Sequence, residues 1–254
     1  DGTALPALVV PEVPPGEQVS HRFRVRMATA GPHELIATLE DDAILPDNHR
    51  FFACQLPVAL PVLIVDQSPG ARDAFYLATA LDPGGRTVTG WAPQIDAVDA
   101  LRDGEALAKF AAVCLLDVGR LDDAAVDNLE RYVSAGGGVG VFLGENTNRQ
   151  FANARLYRSG QGLLPIELGP PTQLLDRVDD NQPDVKTTQH PLFRALAGRR
   201  NSFLALLAVD YAFAPAESWQ PQPQVDVLAR LRDGRPLVVE KKFGKGRVVV
   251  HLTK

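Results

Sequence analysis

Three short apolar runs, each ending at or just before a carboxylate, set the tightest limit on what this chain can fold into. Val62-Leu-Ile-Val65 stops at Asp66, Val113-Cys-Leu-Leu116 stops at Asp117, and Val139-Gly-Val-Phe-Leu143 runs through Gly144 to Glu145. A strand that is apolar at nearly every position has no face for water, so it belongs in a parallel sheet covered on both sides. Between the runs the pattern turns helical. Ala71–Leu81 puts Phe75, Ala78 and Leu81 on one face, and Ala106–Phe110 closes a short helix. Asp122 is placed to cap a helix whose Ala125, Val126, Leu129 and Val133 share a stripe, and Gly136 ends it. Thr87-Val-Thr-Gly-Trp91 reads as a weaker strand. This alternation predicts an α/β domain over residues 59–254, with an open, mostly parallel, doubly wound sheet.

Two further regions qualify that picture. From Asn146 to about Thr188 the periodicity lapses into an insertion at the sheet's edge, with a helical stretch at Phe151–Leu156 and a glycine bend at Gly160-Gln-Gly162. Val225–Leu231, Pro236–Glu240 and Gly246–His251 then read as a meander, turned at Asp233-Gly234 and Gly244-Lys-Gly246. Residues 1–58 have a different grammar. Ser20–Met27, with Phe23, Val25 and Met27 alternating, and His33–Leu39 and Arg50–Leu56 are short β-forming runs separated by Pro- and Gly-rich turns. They predict a small immunoglobulin-like β segment, although a full sandwich wants about seven strands.

Composition narrows the function. The chain has 254 residues, 45% hydrophobic and 22% charged, enough for two unequal folded domains. Its net charge of −5 includes no window of concentrated Lys and Arg, which argues against nucleic-acid binding. Two cysteines exclude a disulfide framework, and no apolar run approaches the ~20 residues of a membrane helix.

The glycine motifs read as structure. Gly136-Gly-Gly-Val-Gly140 follows a helix and precedes a strand, the reverse of a dinucleotide-binding loop, and Phe243-Gly-Lys-Gly-Arg247 reads as a hairpin turn. Cys114 lies inside an apolar strand and Cys54 inside another, so neither is placed as a nucleophile. The five histidines never fall at metal-ligand spacing, and no G-x-S-x-G elbow occurs. What remains is the set Asp66, Ser68, Asp117 and Glu145 at the carboxyl edge of the sheet, where doubly wound folds bind ligands. Asp66-Gln-Ser68-Pro-Gly70 also half-matches the D-x-S-x-S cation loop of von Willebrand A domains, departing from it at Gly70. The competing reading is that an Asp after a buried strand caps the next helix.

Several stretches, taken in order, carry a resemblance. Gly31-Pro-His-Glu-Leu-Ile-Ala-Thr-Leu-Glu-Asp-Asp-Ala-Ile-Leu-Pro-Asp-Asn-His-Arg50, Val62-Leu-Ile-Val-Asp66, Gly136-Gly-Gly-Val-Gly-Val-Phe-Leu-Gly144, Asn153-Ala-Arg-Leu-Tyr157, Gly162-Leu-Leu-Pro165 and Phe243-Gly-Lys-Gly-Arg-Val-Val249 make the chain similar to the extracytoplasmic part of bacterial membrane proteins of the aerotolerance-operon type. The resemblance implies a β-sandwich segment followed by a flavodoxin-like, class I glutamine amidotransferase-like domain. It also implies a place on the outer side of a bacterial membrane, with membrane contact only through flanking segments. Amidotransferases of that class carry a nucleophilic Cys in a G-x-C-x-G elbow; here the corresponding stretch is Phe142-Leu-Gly-Glu145-Asn-Thr147, with neither Cys nor Ser. Thioester chemistry needs that thiolate, so glutaminase activity does not transfer.

The expectation is therefore a non-catalytic interaction or scaffolding module of a larger envelope protein, without cofactor or metal, working through protein partners or other domains. Two alternatives stand beside it. One is a hydrolase with Glu145 as base and Asp117 or Asp66 as its partner; the other is a divalent-cation module using Asp66, Ser68 and Asp117.

Overall fold

The computed structural model describes residues 4–253 apart from 6, 11, 23, 24, 26, 28, 41–43, 86, 175–181 and 197–202. The chain divides into two compact units, Asp1–Val58 and Ala59–Lys254. In the first, strands β1 (Gly31–Thr38) and β2 (His49–Leu56) form an antiparallel hairpin with Leu35 opposite Phe52 and Ile36 opposite Phe51. They fall where the sequence predicts them. The predicted strand at Ser20–Met27 does not form at its described residues, and Phe23, Arg24 and Arg26 lie outside those described. Among its described residues this unit buries no hydrophobic side chain, and Phe51 and Phe52 stay 67% and 62% exposed. One hairpin without a second sheet is all that the described residues offer toward the expected immunoglobulin-like segment. A sandwich core needs a second apolar layer to close on.

The second unit is built on an eight-stranded sheet. Its elements are β3 (Leu60–Asp66), α1 (Arg72–Leu81), β4 (Trp91–Asp96), α2 (Gly104–Leu107), β5 (Ala112–Leu116), α3 (Asp123–Ala135) and β6 (Gly138–Phe142). After α4 (Arg149–Phe151) come β7 (Leu168–Gln173), β8 (Val185–Thr187), α5 (Phe203–Leu206), β9 (Tyr211–Pro215), β10 (Val225–Leu231), β11 (Pro236–Phe243) and β12 (Gly246–His251). The sheet order is β4-β3-β5-β6-β12-β11-β10-β8, while β7 and β9 pair separately. The ladders from β4 through β12 are parallel, and those from β12 through β8 are antiparallel. The parallel half carries the 2-1-3-4-5 order of flavodoxin-like folds, with β12 as its fifth strand.

The apolar runs behave as their composition demands. Leu63, Val65, Val113, Leu115 and Val139 face one way, onto Val126, Leu129 and Val133 of α3. Val62, Ile64 and Leu116 face the other way, onto Ala74 and Leu77 of α1. Each such side chain contributes about 1.5–3 kcal/mol by leaving water. The helix ends follow the same logic. The Asp122 carboxylate accepts from the Ala125 N–H at 2.8 Å, and Gly136 closes α3 at φ 125°, a conformation that favours glycine. The glycine run after α3 is thus a helix stop and strand entry. The Gly244 turn between β11 and β12 is likewise a hairpin.

Several expectations need correction, the first being Phe75 of α1, which stays 64% exposed while the helix packs through Ala74, Leu77, Ala78 and Leu81. The strand expected at Thr87–Trp91 forms instead at Trp91–Asp96, because pairing starts where the Leu60 N–H reaches the Gly90 carbonyl, while Val88 remains 88% exposed. As an edge strand β4 needs little apolar content and tolerates Pro93. The short helix expected at Ala106–Phe110 runs from Gly104 to Leu107, since the Asp103 carboxylate caps it by accepting from the Glu105 and Ala106 N–H groups at 3.0 and 2.9 Å. The insertion is not only an edge feature. Helix α4 continues as a wider turn through Ala152–Tyr157, and Leu163, Leu164 and Ile166 then enter the main core. Lys241, buried in β11, fastens this stretch by donating to the carbonyls of Gly160, at 2.7 Å, and Gly162. Burial holds its ammonium pKa below the ordinary lysine value.

Candidate functional site

In the 2-1-3-4-5 order the chain moves outward from β3 to β4 and then returns to the other side of β3 as β5, so a crevice opens beyond the carboxyl ends of β3 and β5. All four predicted site residues stand around it, but they do different work. Asp66 points into the start of α1. Its Oδ1 accepts from the Ser68 N–H and its Oδ2 from the Ala74 N–H, both at 2.7 Å. A carboxylate held this way supplies negative charge to a helix N-terminus and satisfies donors that the helix itself leaves open. Ser68 is buried, and its Oγ accepts from the Asp73 N–H at 3.4 Å. The loop then turns through Gly70 at φ 73° and Ala71 at φ 49°, and the second of these is a strained conformation for a residue with a Cβ.

Asp117 is fully buried and has φ 50°. That left-handed backbone swings its side chain under the loop leaving β6, where Oδ1 accepts from the Asn146 N–H at 2.8 Å. The loop lies close. A Cβ built on Gly144 would stand 2.5 Å from the Asp117 Cγ, and one on Gly119 would stand 2.6 Å from the Asn146 carbonyl oxygen. Two residues that sequence reasoning passed over complete the arrangement. The Asn146 side-chain amide donates to the Gln67 carbonyl at 2.6 Å, and the Gly119 N–H donates to the Gln67 Oε1 at 3.1 Å. The ends of β3, β5 and β6 are thereby tied together across the crevice by the chain's own amides. The available signal was that Gln67 and Asn146 each directly follow a candidate carboxylate.

Glu145 alone of the three carboxylates turns outward. It is exposed and borders a cleft of about 300 Å³, with Ser68, Pro69, Arg72, Asp73 and Tyr76 as the other walls. The structure therefore brings Ser68 and Glu145 to one cleft and sends Asp66 and Asp117 into the protein. Among the described residues no three or more His, Cys, Asp or Glu side chains are arranged to hold a metal ion.

Neither Cys114 nor His251 is among the residues that line the cleft. Cys114 sits mid-strand in β5, and burial pushes its thiol up to about 11, where it stays protonated. His251, at the end of β12, stacks on Phe142 with ring centroids 4.3 Å apart, and burial pushes it down to about 4. Cys54 belongs to β2 in the first unit.

Fold and site together define a mixed α/β protein with a flavodoxin-like strand order and neither Cys nor Ser in the turn after β6. No family profile matches the chain, and no curated protein does. Solved structures do resemble it. The N-terminal domain of mmIFT52 has a TM-score of 0.51 at 14% identity, covering 76% of this chain and 85% of that one. A ThuA-like protein from Bacteroides uniformis has a TM-score of 0.49 at 15% identity, covering 78% and 82%. A cytoplasmic protein from Salmonella typhimurium LT2 has a TM-score of 0.46 at 14% identity, covering 89% and 85%. At such identities the likeness concerns fold. Among the described residues no helix is long and apolar enough to cross a membrane.

Proposed function

We propose that this chain is a non-catalytic interaction module, an amidotransferase-like α/β platform within a larger envelope protein. One observation carries the reading: the switch-point crevice, where a fold of this order would hold a ligand, is occupied by hydrogen bonds among Gln67, Asp117, Gly119 and Asn146. A ligand crevice at a switch point offers open donors; here the amides serve one another, and of the three carboxylates only Glu145 reaches the neighbouring cleft. The turn after β6 reads Gly144-Glu145-Asn146, so the thiolate of amidotransferase chemistry has no counterpart there. The same geometry favours this reading over the alternatives. Glu145 faces the cleft without Asp66 or Asp117 beside it, and both Asp66 oxygens already accept backbone N–H groups. The envelope setting, with membrane contact through flanking segments, comes from the sequence resemblance and is part of the proposal.

A thermal-shift titration with Mg²⁺, Ca²⁺ and Mn²⁺, run beside hydrolysis assays on glutamine and p-nitrophenyl acetate, tests the reading. The expected result is no saturable shift and no turnover above buffer. A cation bound at 100-fold excess over Kd would add about 2.7 kcal/mol, a rise of at least about 5 °C for a domain of this size. A shift of that kind abolished in Asp66→Ala, or a turnover abolished in Glu145→Gln, would overturn the proposal in favour of the matching alternative.

A further inference from the structure

We draw no further inference here: the strongest candidate, the apolar face that Ile36 and Phe51 present on the β1–β2 hairpin, carries nothing because nothing in the structure shows what covers it.

Discussion

Replacing Gly144 by alanine tests the central claim about the crevice. The new methyl would lie 2.5 Å from the Asp117 Cγ and 2.6 and 2.7 Å from its two carboxylate oxygens, all well inside contact distance. Asp117 has nowhere to retreat, being fully buried with Oδ1 committed to the Asn146 N–H. Relief therefore requires the loop to lift, and lifting breaks that bond. Overpacking of a filled site costs about 1–3 kcal/mol, and leaving a buried hydrogen-bonding group unsatisfied adds about 1–3 kcal/mol. The expected destabilisation is about 3–5 kcal/mol, or roughly 10 °C in Tm, read by urea and thermal unfolding. Asp117→Gly removes the obstructing carboxylate and suits φ 50°, so the double variant should cost less than the two single changes added together. A Gly144→Ala protein within about 0.5 kcal/mol of the parent, or strict additivity in the double variant, would refute the idea that Asp117 clamps this loop.

Three other outcomes are expected. His251 is held neutral to about 4 in the folded chain but protonates near its ordinary value when unfolded. Stability should thus be intact above about pH 6.5 and fall by roughly 3 kcal/mol as the pH drops toward 4; His251→Leu should flatten that limb of a stability–pH profile, and an unchanged slope would count against the assignment. Cys114 should resist iodoacetamide at pH 8 until the chain is unfolded, as followed by mass spectrometry, because its thiol stays protonated to about 11; rapid native labelling would contradict its burial. Ala71→Gly should raise stability by about 0.5–1 kcal/mol in urea melts by relieving a left-handed alanine, whereas a loss would show that the strain has been misplaced.

The parts of this fold that were legible beforehand are those governed by local pattern. An apolar run with no solvent face has to be an interior strand, and a stripe framed by Asp122 and Gly136 has to be a helix; β3, β5, β6 and α3 came out accordingly. Strand β4 was harder. Its boundaries depend on where Leu60 finds a partner, and its exposed edge carries little periodic signal. The site was legible in position and not in orientation. Asp66, Asp117 and Glu145 do end neighbouring strands, yet the direction each carboxylate takes depends on backbone angles, such as φ 50° at Asp117, that residue type does not announce. The capping reading of Asp66 is the one its hydrogen bonds follow. The crossing amides of Gln67 and Asn146 join residues far apart in the chain, which no local window can register.

Strand β12 runs parallel to β6 on one side and antiparallel to β11 on the other, with Gly138 opposite Arg247. That pairing closes a loop of about 100 residues, and loop-closure entropy grows only logarithmically with length, so doubling such a loop costs about 0.6 kcal/mol. Apart from the stretches that enter the core, the intervening chain can lengthen, shorten or acquire new segments at little thermodynamic penalty while the seam persists. The same seam exacts a kinetic toll. The hairpin of β11 and β12 can zip from neighbouring residues, but its docking on β6 must await a distant encounter, and contacts of such sequence separation slow the folding of a sheet.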